Sequence, residues 1–269
     1  MLTTDTNVFN HTPPSARILK EYRKIAMRKY RNRSGKMLLE GEQLVREALL
    51  AGAALESLLY TPEFILRPEA AAFLNAAQKD KIFQIDAHTF EAIAQTETPQ
   101  GISAIAAIPP RRQDILSLGR GFFLIIDRIQ DPGNLGTIIR TAAAADVTGL
   151  IILRGTTDPY SPKAVRASMG GIFYLPVILE SETPDWYEII KENGIQLVAA
   201  APHGMVPYYT IDFKKPTAVI IGNESGGVAE GLMEKAEIRA SIPLKGRLTA
   251  LNAAIAAAAF IFENQRQNL

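Results

Sequence analysis

Short runs of apolar residues recur through the second half of the chain and predict the strands of a parallel sheet. Each run is continuously apolar instead of alternating with polar positions, and helical patterns separate the runs. The six runs are residues 122–127, 150–155, 172–178, 195–201, 217–222 and 238–244. Strands that helices cover on both faces are typically apolar throughout. The pattern therefore predicts an α/β fold with helices on each side of a parallel sheet.

The first part of the chain also alternates helical and extended patterns. Residues 16–29 and 40–51 have helical periodicity, whereas residues 56–60, 82–85 and 102–108 are apolar runs of strand length. This alternation predicts a second α/β domain.

A break in the pattern predicts the domain boundary. The segment PPRRQDILSLGRG, residues 109–121, contains two prolines and two glycines that interrupt both kinds of periodicity. We therefore expect a smaller N-terminal domain over residues 1–110, a linker over 111–120 and a larger domain over 121–269.

Charge is distributed unevenly, although the net charge of the whole chain is only +1. One segment holds nine basic residues and a single acid, Glu21; the basic residues are Arg17, Lys20, Arg23, Lys24, Arg28, Lys29, Arg31, Arg33 and Lys36. A concentrated basic segment is typical of a polyanion binder, and a solvated helix face is the other interpretation. Tyr22, Tyr30 and Asn32 add groups that stack or hydrogen-bond, which favours RNA as the partner. The first eight basic residues are the candidate RNA ligands.

The absence of cysteine excludes disulfides, thiolate metal sites and cysteine nucleophiles, and it predicts a reducing, cytoplasmic location. Residues 1–17 have no signal-peptide pattern, and the longest apolar run, residues 251–262, is shorter than the roughly 18 residues of a membrane span.

Dinucleotide-binding, P-loop, zinc-protease and serine-hydrolase motifs do not occur, and the three histidines lie far apart in the sequence. We therefore expect no metal.

The segment DPGNLGTIIR after the run 122–127 carries polar side chains at the end of a predicted strand. Pro132 and Gly133 suit a type II turn, and Asn134 then occupies the position of a helix N-cap. The helix that follows is nearly all apolar, which predicts that Arg140 is buried within it. A buried arginine needs either an ion pair, with Glu224 or Asp127 as the partner, or a phosphate or polarised oxygen.

Two further strand ends carry polar groups. The loop GNESGG, residues 222–227, allows close backbone approach and leaves Glu224 projecting, although a plain turn explains it equally well. The segment IPLKGRLTALNAAIAA, residues 242–257, predicts a helix from about Leu248, with Asn252 as the one polar residue inside it. Because ligands of open α/β sheets bind beyond the carboxyl ends of the strands, we expect a site at this edge.

Taken together, these segments resemble the SpoU/TrmH family of RNA ribose 2′-O-methyltransferases, part of the SPOUT group. The three motifs are DPGNLGTIIRTAAAADVTGLII, IIGNESGGV and IPLKGRLTALNAAIAAA, and SPKAVRASMGGIFYLPV resembles the segment between motifs. KYRNRSGKMLLEGEQLVREAL and TETPQGISAIAA resemble the accessory RNA-substrate-binding domain of the family.

The resemblance implies a deep trefoil knot in the C-terminal domain, S-adenosylmethionine as the methyl donor and a homodimer. It implies catalytic or RNA-contacting roles for Asn134, Arg140, Glu224 and Asn252. Backbone groups of the knotted loops would hold the cofactor, at the positions Gly222, Ile242, Leu251, Ala200, Asn252 and Ala253. One position departs from the family: Ala250 replaces a common serine, and on a helix the hydroxyl of Thr249 would point elsewhere.

The substrate implied by the family and by the extra domain is a large ribosomal RNA, 23S in bacteria, with transfer RNA as an alternative. A non-catalytic RNA-binding or ribosome-assembly protein on the same scaffold is a second interpretation, because of Ala250. A small-molecule α/β enzyme is a third, and it has no use for the basic segment.

Overall fold

The computed structural model describes residues 12–67, 70, 77–110 and 112–269. Most of residues 1–17, for which no signal peptide was predicted, therefore lies outside the described residues. The contacts divide the chain into two compact units. The first comprises the chain up to Pro109 together with Tyr160–Phe173, and the second comprises Pro110–Pro159 and Tyr174–Leu269.

The first unit is a four-stranded mixed sheet with short helices. Its elements are α1 (Ala16–Ile25), α2 (Arg28–Ser34), β1 (Lys36–Glu40), α3 (Glu42–Leu50), β2 (Leu55–Tyr60), α4 (Pro62–Ile65), β3 (Ile82–Gln84), α5 (Ala87–Glu91), β4 (Ile102–Ala107) and α7 (Pro162–Ala167). The strand order is β1-β4-β2-β3, in which β4 is antiparallel to β1 and β2, and β2 is parallel to β3. This confirms the smaller α/β unit.

In the first unit, one local prediction is wrong and one strand was not predicted. The helix predicted over 16–29 is two helices, and β1 was missed because its apolar run MLL adjoins a strong helical pattern. The break between α1 and α2 depends on Arg31, whose Nη1 donates to the carbonyl oxygens of Ile25 at 2.9 Å and Ala26 at 2.6 Å. The last carbonyls of a helix need such partners, because no further turn supplies them.

The second unit is a seven-stranded sheet. Its elements are β5 (Phe122–Ile126), α6 (Pro132–Ala144), β6 (Gly149–Ile152), β7 (Val177–Leu179), α8 (Trp186–Glu192), β8 (Gln196–Ala200), β9 (Val206–Pro207), β10 (Thr217–Ile221), α9 (Glu230–Lys235), β11 (Ile238–Ser241) and α10 (Ala253–Asn268). The order is β7-β6-β5-β10-β8-β11-β9, and every neighbouring pair is parallel. The predicted parallel α/β sheet is confirmed, and the trefoil knot stays an implication of the family resemblance.

The strand predicted over 172–178 is confirmed only at its end: Gly171–Phe173 forms a 3-10 turn, and the observed strand covers Val177–Leu179. On one face of the sheet, Phe123, Ile151 and Ile220 pack with Trp186 and Ile190 of α8. On the other, α10 packs against both α6 and β10. Among the described residues, no helix is both long and apolar enough to cross a membrane.

The first unit offers a matched test of backbone strain. Gly101 and Gly52 both have left-handed φ angles, +76° and +67°, but a Cβ on Gly101 would lie 2.6 Å from Thr61 Oγ1, whereas a Cβ on Gly52 would meet nothing within 4 Å. We expect Gly101→Ala to lower the free energy of unfolding by about 3 kcal/mol and Gly52→Ala by about 1 kcal/mol. Calorimetric or denaturant unfolding of both variants checks this, and equal losses would contradict it.

Candidate active site

The three polar segments singled out in the sequence lie at one edge of the second unit. The turn into α6 follows β5, the loop 222–228 follows β10, and the segment 242–252 follows β11. Since all these strands are parallel, their carboxyl ends share one edge, where ligands of such sheets bind.

The turn after β5 differs in detail from the prediction. The residue that caps α6 is Asp131, whose side chain accepts a hydrogen bond from the amide of Gly133. Pro132 is the first residue of the helix, where its missing N–H costs nothing. The predicted type II turn and the N-cap role of Asn134 are therefore wrong. Asn134 instead lies in the first turn of α6, with its side chain partly exposed.

The prediction that Arg140 is buried is also wrong. Helix α6 has one buried face, formed by Leu135, Gly136, Ile138, Ile139 and Ala142. Thr137, Arg140 and Ala144 are exposed and follow Asn134 along the opposite face. Within the described part of the chain, Arg140 has no hydrogen bond or ion pair. The guanidinium is available to a ligand, about 9 Å of helix rise beyond Asn134.

Three of the four predicted catalytic residues form a chain of hydrogen bonds. The Nδ2 of Asn134 donates to Glu224 Oε1 at 2.6 Å, and the Nδ2 of Asn252 donates to Asn134 Oδ1 at 3.0 Å. The amide of Asn134 is therefore held at both ends, with its orientation set by the carboxylate, which only accepts. Glu224 orients Asn134 and not Arg140.

Asn252 lies outside the helix into which the sequence pattern placed it. Helix α10 begins at Ala253, and the Oδ1 of Asn252 caps it by accepting from the amides of Ala254 at 2.9 Å and Ile255 at 3.4 Å. The Asn252 side chain thus has two roles: its oxygen caps the N-terminus of α10, and its nitrogen donates a hydrogen bond to Asn134.

The loop 222–228 brings Glu224 to its position by backbone constraints. Asn223 and Gly227 form an isolated β-bridge, and Asn223 Oδ1 accepts from the amides of Ser225 at 2.9 Å and Gly226 at 3.1 Å. A Cβ on Gly222 would lie 2.2 Å from backbone atoms of Gly227 and Val228. Only glycine allows this closure of the loop, which leaves Glu224 exposed at the tip.

A cleft of about 770 Å³, counting the part open to solvent, lies beside the loop. Five of the six predicted cofactor positions line it, namely Ala200, Gly222, Ile242, Leu251 and Ala253; Asn252 does not. Sequence reasoning missed Ala256 and Phe260, although their spacing from Ala253 places all three on one helix face. Thr249 lines the cleft together with Ala250, because residues 249–250 precede the helix and its periodicity does not apply to them.

The lining fits the adenosine part of the implied cofactor. Small and apolar side chains such as Ala200, Ile242 and Ala253 give the cleft a largely apolar lining, which suits a planar aromatic ring. Among the described residues, the backbone amides of residues 242 and 244–251 have no hydrogen-bond partner within the chain, so they are available to polar atoms of a ligand.

The basic segment, residues 17–36, lies in the first unit. Six candidate RNA ligands are exposed: Arg17, Lys20, Arg23, Arg28, Lys29 and Arg33. Lys24 is partly buried, with its Nζ 5.9 Å from the centre of the Tyr30 ring. Arg31 is 3% exposed and binds the end of α1, so its prediction as an RNA ligand is wrong. Tyr22 is buried too, and its hydroxyl donates to the carbonyl of Ser57.

Comparison with known proteins identifies the family. Residues 121–262 match the SpoU rRNA Methylase family, and residues 17–104 match an MRM3-like substrate binding domain. The chain belongs to the SpoU rRNA methylase family. Bacillus subtilis RlmP, named as a 23S rRNA guanosine 2′-O-methyltransferase, is 32% identical over 91% of this chain and 94% of its own length.

Solved structures agree with this SpoU assignment. The SpoU methyltransferase AviRb from Streptomyces viridochromogenes, in complex with the cofactor AdoMet, has a TM-score of 0.83 and 31% identity over 95% of this chain and 98% of its own. An AdoMet-bound rRNA methyltransferase from Sinorhizobium meliloti has a TM-score of 0.80 and 34% identity over 96% of this chain and 97% of its own. The similarity extends through both units.

Because Asn252 both caps α10 and holds Asn134, we expect two variants at this position to differ in their free energy of unfolding. Asn252→Ala removes the cap of α10 and lowers the free energy of unfolding by about 1 kcal/mol. Asn252→Asp keeps an oxygen acceptor at the helix N-terminus and leaves the stability nearly unchanged, although it loses the donor to Asn134. Denaturant unfolding of the two variants measures the difference. The same loss in both would show that Asn252 does not stabilise the helix by capping.

Proposed function

We propose that this SpoU family member transfers a methyl group from S-adenosylmethionine to a ribose 2′-hydroxyl of 23S ribosomal RNA. The observation that carries the proposal is the hydrogen-bonded set Glu224–Asn134–Asn252 at the same strand edge as a largely apolar cleft. We assign RNA recognition to a domain over residues 1–110 and methyl transfer to a domain over 121–269, joined by the linker 111–120.

Cofactor binding is assigned to the cleft. Ala200, Gly222, Ile242, Leu251 and Ala253 contact it through small side chains or backbone groups, and Asn252 holds the adjoining helix. S-adenosylmethionine supplies a methyl carbon that its positive sulfur already activates, so the protein contributes mainly position and electrostatic stabilisation.

Arg140 is assigned to the RNA. A guanidinium hardly loses its proton in proteins, so Arg140 does not act as the base that deprotonates the hydroxyl. Its charge instead holds a phosphate and stabilises the developing alkoxide. Its lack of a partner within the described residues supports this role, because a charge already paired would be less available to substrate.

Asn134 and Asn252 position the ribose and the loop that follows β11. Glu224 fixes the amide of Asn134, since its carboxylate accepts only the N–H end. Thr249, which carries a hydroxyl, lines the cleft beside Ala250. The non-catalytic alternative rested on the missing hydroxyl at position 250, so this placement favours the enzyme.

We further propose a cytoplasmic homodimer. Leu248, Ile255 and Phe262 are exposed apolar side chains on the segment before α10 and on α10 itself, with Leu248 79% exposed. Ile255 and Phe262 are seven residues apart and therefore lie on one face of α10. Exposed apolar side chains on one helix face are typical of a surface that a second copy covers. The dimer is the working form that the family resemblance implies.

Replacing Arg140 tests the catalytic assignment. We expect Arg140→Ala to lower kcat/KM for methyl transfer by at least about 100-fold, because an electrostatic contact to the transition state is lost. Its melting temperature should stay unchanged, since the side chain is exposed and unpaired within the described structure. Arg120→Ala is the matched control, because Arg120 is also exposed but precedes β5 at the opposite edge. Near-normal turnover of Arg140→Ala with saturating RNA would refute the role.

The basic segment makes a separate prediction about RNA affinity. We expect the double variant Arg28→Gln/Lys29→Gln to bind RNA more weakly. The slope of log K against the logarithm of the salt concentration should become less steep by about one to two, because up to two phosphate contacts are lost. Lys214→Gln/Lys215→Gln removes the same charge from exposed positions in the second unit and should change neither quantity. Filter binding at several salt concentrations measures both. Equal effects of the two double variants would mean that only net charge matters.

A further inference from the structure

The turn after β5 and the loop after β10 are joined by an ion pair that the proposed mechanism does not use. Arg128 donates from Nε to Asp127 Oδ1 and from Nη2 to Asp127 Oδ2, both at 2.9 Å, and Nη2 also donates to the carbonyl of Gly227 at 3.1 Å. Asp127 Oδ2 accepts in addition from the amide of Ala229 at 2.8 Å. Two side chains of one turn thus bind both ends of the segment 227–229.

The backbone of Arg128 is attached to the same loop. Its φ angle is +57°, a left-handed conformation that costs a non-glycine residue energy. The amide of Arg128 donates to Thr156 Oγ1 at 3.0 Å, and its carbonyl accepts from Asn223 Nδ2 at 2.9 Å. These two bonds hold the strained conformation, and the second one reaches the first part of the loop that carries Glu224.

Burial makes this arrangement rigid. The side chain of Asp127 is only 4% exposed, so its charge requires the fork of hydrogen bonds that Arg128 provides. The hydrogen bond to Asp127 raises the pKa of the Arg128 guanidinium above its ordinary value. Because the guanidinium makes two parallel hydrogen bonds to the carboxylate, it also fixes the orientation of Arg128 relative to Asp127, which a single ammonium group cannot do.

We propose that Arg128 is a positioning residue that fixes the loop 222–229 against the turn into α6, and thereby sets both the Glu224–Asn134 contact and one wall of the cleft. The loop residues Gly222, Asn223, Glu224, Ser225 and Gly227 all line that cleft. Asn134 follows the same turn that carries Arg128, so one ion pair controls the distance between the two halves of the site. The inference rests on the proposed function for its consequence, but not for its geometry.

Hydrogen exchange tests the geometry without any ligand. In Arg128→Ala, the amides of Ser225, Gly226 and Ala229 should exchange at least about ten-fold faster, while those of the central strands β5 and β10 keep their rates. Arg112→Ala is the matched control, because Arg112 makes a similar fork with Asp114, at 3.0 and 2.9 Å, on an exposed segment before β5. Unchanged loop exchange, or equal acceleration throughout the second unit, would overturn the proposal.

Equilibrium binding tests the consequence. We expect the Kd for S-adenosylmethionine, measured by calorimetry, to rise about ten-fold in Arg128→Ala and less in Arg128→Lys, which keeps a charge beside Asp127 but loses the fork. Arg112→Ala should bind like the wild type. A Kd in Arg128→Ala equal to that of the wild type would contradict the role, whereas a purely stabilising role would lower the melting temperature and leave Kd unchanged. If the wild type neither binds S-adenosylmethionine nor methylates RNA, the proposed function fails, and the exchange rates still decide the role of Arg128.

Discussion

The amide of Asn134, held between a carboxylate and a second amide, is the contact on which the candidate site depends. Its nitrogen donates to Glu224 and its oxygen accepts from Asn252, so three loops are joined through one side chain. The contact requires β5, β10 and β11 to end at the same edge, which a parallel sheet provides. It also requires α6 to begin at Pro132, because Asn134 must lie in the first turn.

Each partner in this set is itself fixed by local backbone chemistry. Asp131 caps α6, Gly222 permits the tight closure of the loop that carries Glu224, and Asn252 caps α10. Such caps and glycine positions are short-range effects, so they preorganise the site before a ligand arrives. Arg140 differs, because it is presented on the exposed face of α6 without a partner among the described residues and is completed by substrate in the proposed reaction.

Continuous apolar runs located the central strands closely: residues 217–222 were predicted for β10 and Thr217–Ile221 is observed. Residues whose environment depends on distant segments were predicted less well. Arg31, in a basic run, is buried because the end of α1 needs a donor, and Arg140, in an apolar run, is exposed because α6 has only one covered face. The site residues were predicted from the order of the three motifs and not from hydrophobic periodicity. The Arg128 fork had no sequence signal, since it joins loops that are 99 residues apart.

The most direct test of the account is transfer of labelled methyl groups from S-adenosylmethionine into total RNA from cells that lack this protein. The account predicts label in 23S ribosomal RNA, recovered after alkaline hydrolysis in dinucleotides, because a methylated 2′-oxygen cannot attack the neighbouring phosphate. Label released by alkali in mononucleotides would place the methyl group on a base and contradict ribose methylation. Label confined to transfer RNA would contradict the substrate, and no label in any RNA would contradict the enzyme.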